Sequence, residues 1–196
     1  MSSSSTSRYL WPLLIIVAVV QSAALFKIVY DKDRLLKTGR EITMAVKPLD
    51  PRDIFRGDYV TLGYDISTLN TSHVPIGNFA NFPAGSTAYV TLSPNLAGGW
   101  TVAAVAAAHP AAVAPSDVVL KGRVDRIWRA QTASDSVINM RYGIETYFVP
   151  EGTGRALESQ VREHKIDAIV AVGSDGTAAL KGLVIDGERH VDPPLL

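Results

Sequence analysis

The sequence predicts a mainly β (α+β) protein, an N-terminal transmembrane helix followed by a small β-rich open barrel or sandwich with one helix. Three observations predict it. Tyr9 through Phe26 carries no charge and is apolar all round. Beyond residue 40 the chain falls into short runs rich in Val, Ile, Thr and Tyr, punctuated by Gly, Pro, Asn and Asp. Only Gly154 to Lys165 has helical apolar spacing in that body, with Ala156, Leu157, Gln160, Val161 and His164 on one face.

The chain divides into an N-terminal tail (1–8), a transmembrane anchor (9–30), a juxtamembrane linker (31–40) and a β-rich domain (41–196). Extended to Tyr30, the apolar run reaches about 30 Å as a helix, enough to span a hydrocarbon core. Tyr9, Trp11 and Tyr30 stand at its ends as interfacial aromatics do, and Lys27 can snorkel. A cleaved signal peptide is the alternative, with Ser22 and Ala24 as the small residues of a cleavage site. Residues 1–40 hold six Lys/Arg and two Asp, which leaves 13 bases and 17 acids beyond. A mildly acidic body argues against a nucleic-acid surface. There is no cysteine, so disulfides, thiolate metal sites and cysteine nucleophiles are excluded.

Along the body, Asp31 to Arg40 reads as a polar extension of the helix ending near Gly39. Glu41 to Val46 alternates as a strand, and Tyr59 to Ile66 is the next. In the latter, Val60, Leu62, Tyr64 and Ile66 share the core face. Gly63 suggests a bulge or a close backbone approach. Thr68 to Pro83 reads as a surface loop. Ala88–Leu92 and Trp100–Val105 form a hairpin around a turn at Asn95–Gly99, and His109–Pro115 is an Ala/Pro linker. Val118–Ile127 and Ser136–Val149 are further strands, the second bending or breaking at Gly143. Ile166–Val172, Thr177–Ile185 and a piece near Arg189 close the chain, with turns at Asp175-Gly176 and Asp186-Gly187. The total is seven to nine strands. Leu120-Lys121-Gly122-Arg123-Val124 is echoed by Leu180-Lys181-Gly182-Leu183-Val184, which suggests two equivalent strands.

Gly57-Asp58-Tyr59-Val60-Thr61-Leu62-Gly63-Tyr64 resembles, letter for letter, the pattern that names the GDYxxLxY family of bacterial membrane-anchored proteins. The resemblance extends upstream through Pro48-Leu49-Asp50-Pro51-Arg52-Asp53. Downstream it reaches Tyr142-Gly143-Ile144-Glu145 and Tyr147 to Gly152. It implies a single-pass protein encoded near, or fused to, a multi-pass membrane protein, and no established activity. It also implies an N-terminal signal anchor in the bacterial inner (cytoplasmic) membrane with the C-terminal domain extracytoplasmic. The greater number of Lys/Arg on the C-terminal flank argues the other way.

Just before the motif strand, Asp50 to Phe55 reads as a short helical turn, with Asp50 as its cap and Pro51 at its first position. The candidate binding residues are Arg52, Arg56, Asp58 and Tyr59, either an anion or peptide site or a charge-satisfied turn that pins the strand. A strand-entry turn explains Arg56-Gly57-Asp58 better than cell adhesion does. His73, His109, His164 and His190 lack metal-pair spacing, so neither metal nor cofactor is expected. Lys121 and Lys181 are candidate bases of a serine–lysine hydrolase resembling signal peptidases, but no Ser-Met pair follows the anchor. Glu145, Glu151 and Glu158 are the acid candidates, and Gly152-Thr153-Gly154 could open a helix onto an anion. The leading expectation is a non-enzymatic envelope protein whose partners are the lipid bilayer and a multi-pass membrane protein. The alternatives are the tethered hydrolase and a small-ligand sensor.

Overall fold

The computed structural model describes residues 7–48, 59–70, 72, 74, 82–96, 98–128, 136–148, 166–191 and 193. Helix α1 runs unbroken from Ser7 to Thr38, about 48 Å at helical rise. Its Trp11–Thr38 portion is long and apolar enough to cross a membrane. The polar extension therefore belongs to the same rod as the apolar run. The Gly39 amide donates to the Leu35 carbonyl (2.8 Å) and closes the last turn, and the first strand begins at the next residue.

The β-rich body curls into a half-barrel, so the fold class read from the sequence is borne out. Among the described residues there are twelve strands: β1 (Arg40–Ala45), β2 (Lys47–Pro48), β3 (Tyr59–Gly63), β4 (Thr68–Asn70), β5 (Thr87–Pro94), β6 (Trp100–Ala106), β7 (Val118–Trp128), β8 (Val137–Arg141), β9 (Thr146–Phe148), β10 (Ile166–Val172), β11 (Ala178–Ile185) and β12 (Glu188–Val191). The excess over seven to nine comes from β2, β4 and β9, of two or three residues each, too short for alternation to reveal.

These strands form three antiparallel sheets ordered β1-β10-β11-β12, β2-β3-β9 and β4-β8-β7-β5-β6. All three turn an apolar face to one core. Ile42, Met44 and Val170 come from the first sheet, Val60 and Leu62 from the second, and Val90, Leu120 and Ile138 from the third. Register shifts at Ile169/Val170, Thr91/Leu92 and Val124/Arg126 add local twist that lets flat ladders wrap that core.

The motif strand behaves as alternation requires: Val60, Leu62, Tyr64 and Ile66 are all buried. It ends as strand at Gly63, however, and Asp65–Ser67 is a 3-10 turn. Gly63 pairs with Lys47 without a register shift, so the expected bulge is absent there. The supposed surface loop after Thr68 is corrected at its start. Thr68–Asn70 is the edge strand β4 paired with β8, and Leu69 is buried. Phe82, near the other end of that stretch, is buried as well. Its polar composition hid these two anchors.

The long strand region after Ser136 breaks where glycine foretold. Gly143 adopts φ +78, a conformation costly for any other residue. The break sends β8 and β9 to different sheets, so one chain segment ties two sheets together. The Lys-Gly echo falls on β7 and β11, both interior strands. At Gly122 a side chain would meet the Met140 methyl at 2.8 Å, and at Gly182 it would collide with the His190 carbonyl. The expected Asp50–Phe55 turn, the Gly57 turn and the Gly154–Lys165 helix lie outside the described residues.

Candidate functional site: a cleft where the helix meets the sheets

The last turns of α1 pack against β10 and β11. Asp33, the one buried acid of the helix, pairs with Lys37 one turn on (2.7 Å). The Leu35 methyl reaches the space beside Gly39 and Gly173, where any side chain would touch it. The helix end is thus seated on the β10–β11 hairpin.

Between this helix end, the β10–β11 turn and the segment joining β6 to β7 lies an open cleft of about 840 Å³. Asp31, Arg34, Arg40, His109, Val113 and Asp175 are among the residues lining it. Arg40, one residue past the helix-terminating glycine, organises one wall. One guanidinium nitrogen donates to the carbonyls of Pro115 (2.9 Å) and Asp117 (2.7 Å), and the other to Ser116 (2.8 Å). A single planar fork therefore gathers three successive carbonyls and fixes the 107–117 segment beside the helix. The His109 ring stands edge-on to Tyr89 of β5, with centroids 5.4 Å apart.

The floor is the 173–177 turn. The Asp175 carboxylate accepts from the Thr177 amide (3.0 Å) and hydroxyl (2.7 Å). These bonds, hydroxyl first, hold its carboxyl below the usual carboxylate value. The Gly176 carbonyl accepts from the Lys121 amide (2.7 Å), locking the turn to β7. Carboxylates and Arg34 face an open space with apolar walls, an arrangement suited to binding a polar or amphipathic surface.

The sequence-nominated residues do not assemble here. Arg52, Arg56, Asp58, Glu151 and Glu158 lie outside the described residues. Tyr59 starts β3 opposite Phe148, its ring tilted 55° at 6.3 Å from a largely exposed phenyl. Lys121 is exposed on β7. Lys181 is ion-paired to Glu41 (3.2 Å), which also takes Arg189 (2.8 Å). Among the described residues neither lysine hydrogen-bonds a serine. Glu145 is corrected from a strand position to the bend before β9. Its carboxylate accepts from the Tyr142 and Gly143 amides and caps the break. Among the described residues no three His, Asp or Glu side chains are grouped to hold a metal.

The Glu41 pairing has a testable pH signature. Burial opposes ionisation of Glu41, but hydrogen bonds from Arg189 and Lys181 outweigh it and hold the carboxyl below its ordinary value. A lowered carboxylate stabilises above its unfolded pKa and loses that contribution as pH falls through the folded one. Glu41→Gln is expected to cost up to about 1 kcal/mol at neutral pH in urea unfolding, given solvent screening, with the difference vanishing in acid.

The last tyrosine of the motif has a structural partner. Tyr64 donates from its hydroxyl to the Ile144 carbonyl (2.8 Å), and Tyr142 donates to the Ile66 carbonyl (2.7 Å). The two side chains cross, stitching the segment after β3 to the bend between β8 and β9. Leu62 is fully buried, and its amide donates to the Glu145 carbonyl (2.8 Å). The family model described as GDYXXLXY protein matches residues 21–183, most of the chain. The chain belongs to the GDYXXLXY family. No curated protein and no solved structure matches it. In this GDYXXLXY protein, the motif's leucine and final tyrosine serve the core, and its first tyrosine is part-exposed. The family match also takes in the helix end that seats on β10, so the junction lies within the family unit.

Sequence reasoning missed the cleft. Arg40 counted there as a flanking charge at the end of the helix's polar extension, and His109–Pro115 as an Ala/Pro linker. The one available signal was a glycine immediately followed by arginine at a helix end, which is common.

Proposed function

We propose that this GDYXXLXY protein is a non-enzymatic, single-pass protein of the bacterial cytoplasmic membrane. In this reading the β-rich domain stands on the extracytoplasmic side and binds or supports a multi-pass membrane protein. The observation that carries it is the junction, where α1 runs unbroken almost to the first strand and packs on β10 and β11. With Trp11–Tyr30 filling a hydrocarbon core of about 30 Å, Asp31 to Thr38 rises through the headgroup zone. That places the cleft where a neighbouring membrane protein's juxtamembrane segment would pass. Asp31, Arg34 and Asp175 supply the polar contacts. The pairing of Lys181 with Glu41 does not favour the serine–lysine reading.

A photo-crosslinking residue at Arg34 tests this in intact cells. One adduct of defined mass is expected, absent when the same residue replaces Leu96 at the far hairpin tip. Recovery of only the lone chain from both positions would count decisively against a partner at the cleft. A C-terminal alkaline phosphatase fusion is expected to be active, and a cytoplasm-only reporter dark. The reverse result would place the domain inside.

A further inference from the structure

We infer that the loop joining β6 to β7, residues 107–116, is a second membrane contact that lies in the lipid interface beside α1 and fixes the tilt of the domain. This rests on the reading of α1 as a membrane span. From Leu96 to Ser116 the sequence contains no ionised side chain, only His109. Within it, Ala107-Ala108-His109 and Ala111 to Ser116 are exposed to solvent, and Val113 is among the exposed large apolar side chains. An exposed loop normally carries charge or polar turn residues; this one carries alanine, valine and two prolines.

Its position identifies the occupant. Val113 and His109 line the same cleft as Asp31 and Arg34, so the loop stands level with the first turns of helix beyond Tyr30. Those turns lie at the headgroup level if Trp11–Tyr30 spans the hydrocarbon. The loop is not free to swing away, because Arg40 holds the Pro115, Ser116 and Asp117 carbonyls and is itself continuous with the helix end. The prolines limit the backbone freedom that would be lost on settling into lipid. The other end of the same hairpin points elsewhere. Trp100 donates its indole N–H to the carbonyl of Thr43 (3.1 Å), in β1 and past the helix end, and Leu96 lies beyond it. One end of the β5–β6 hairpin therefore faces the bilayer and the other faces water. A helix alone leaves the domain free to rotate about the anchor and tilt. A second, offset apolar contact removes that freedom and keeps the cleft at the surface.

The cysteine-free chain allows a direct test. Val17→Cys, Val113→Cys and Leu96→Cys would each carry a nitroxide in the full-length protein, reconstituted in phosphatidylcholine/phosphatidylglycerol vesicles. Power saturation then compares access of oxygen with access of a water-soluble nickel chelate. At Val17 oxygen access should dominate. Val113 should show nickel access several-fold below that of Leu96, with oxygen access between the two. Adding Arg40→Ala should raise nickel access at Val113 toward the Leu96 value and leave Val17 unchanged. If Val113 is as open to nickel as Leu96 while Val17 is in lipid, the loop contact is refuted and the anchor stands. Nickel dominating at Val17 would remove the anchor and the inference with it. Shielding of Val113 in native membranes but not in pure lipid would assign the loop to a protein and overturn the lipid contact. Should Arg40→Ala fail to fold, the Val113–Leu96 comparison decides alone.

Discussion

Replacing Tyr64 by phenylalanine is expected to destabilise the protein by about 1–3 kcal/mol, and by alanine about 3–5 kcal/mol, in urea unfolding in detergent micelles. The phenylalanine variant removes one hydroxyl and leaves the Ile144 carbonyl without that donor in a buried site. The alanine variant also deletes a buried ring that packs against the core. Because Tyr142 makes the reciprocal bond to Ile66, the two substitutions should couple rather than add. A pH arm separates the hydroxyl from the ring. Burial, and then the Glu145 charge, pushes both phenols well above their ordinary value of 10.0. Only the unfolded chain ionises these groups near that pH. Stability is therefore fully present below pH 10 and falls as pH rises beyond it. The Tyr64→Phe variant should show a shallower alkaline loss than the parent. Equal slopes would mean that the phenol is not buried as described.

Leu62→Ala is the second large effect, expected at about 2–5 kcal/mol with no change in the denaturant slope. Leu62 is fully buried in the apolar core, and its backbone is held by pairing with β2 and by the Glu145 carbonyl, so the site can relax little around the lost side chain. Thr61→Ala, on the opposite face of the same strand, should cost far less. If both cost the same, the assignment of faces to β3 is wrong.

Much of this architecture was readable in the chain. The apolar run and its polar extension fixed α1, because helix formation over so long a segment depends on local composition. Period-two alternation placed Val60, Leu62, Tyr64 and Ile66 inside, since strand side chains can point only to two faces. Gly143 announced a break because its backbone angle is one that side chains resist. The short strands escaped notice for the complementary reason. Two or three residues such as Thr68–Asn70 carry no period, and their pairing energy comes from β8, seventy residues away.

The motif and the cleft divide along the same line. Sequence alone determined the family, the helix able to cross a membrane, and the buried side of the motif strand, all local properties of spacing and composition. Only the tertiary structure decided that the motif's last tyrosine is bonded across the core to Ile144. It also decided that Lys181 answers Glu41, and that Arg40 gathers a loop more than seventy residues on. Such hydrogen bonds between distant segments depend on angles and distances set by the packing of whole sheets, and a linear pattern does not encode them.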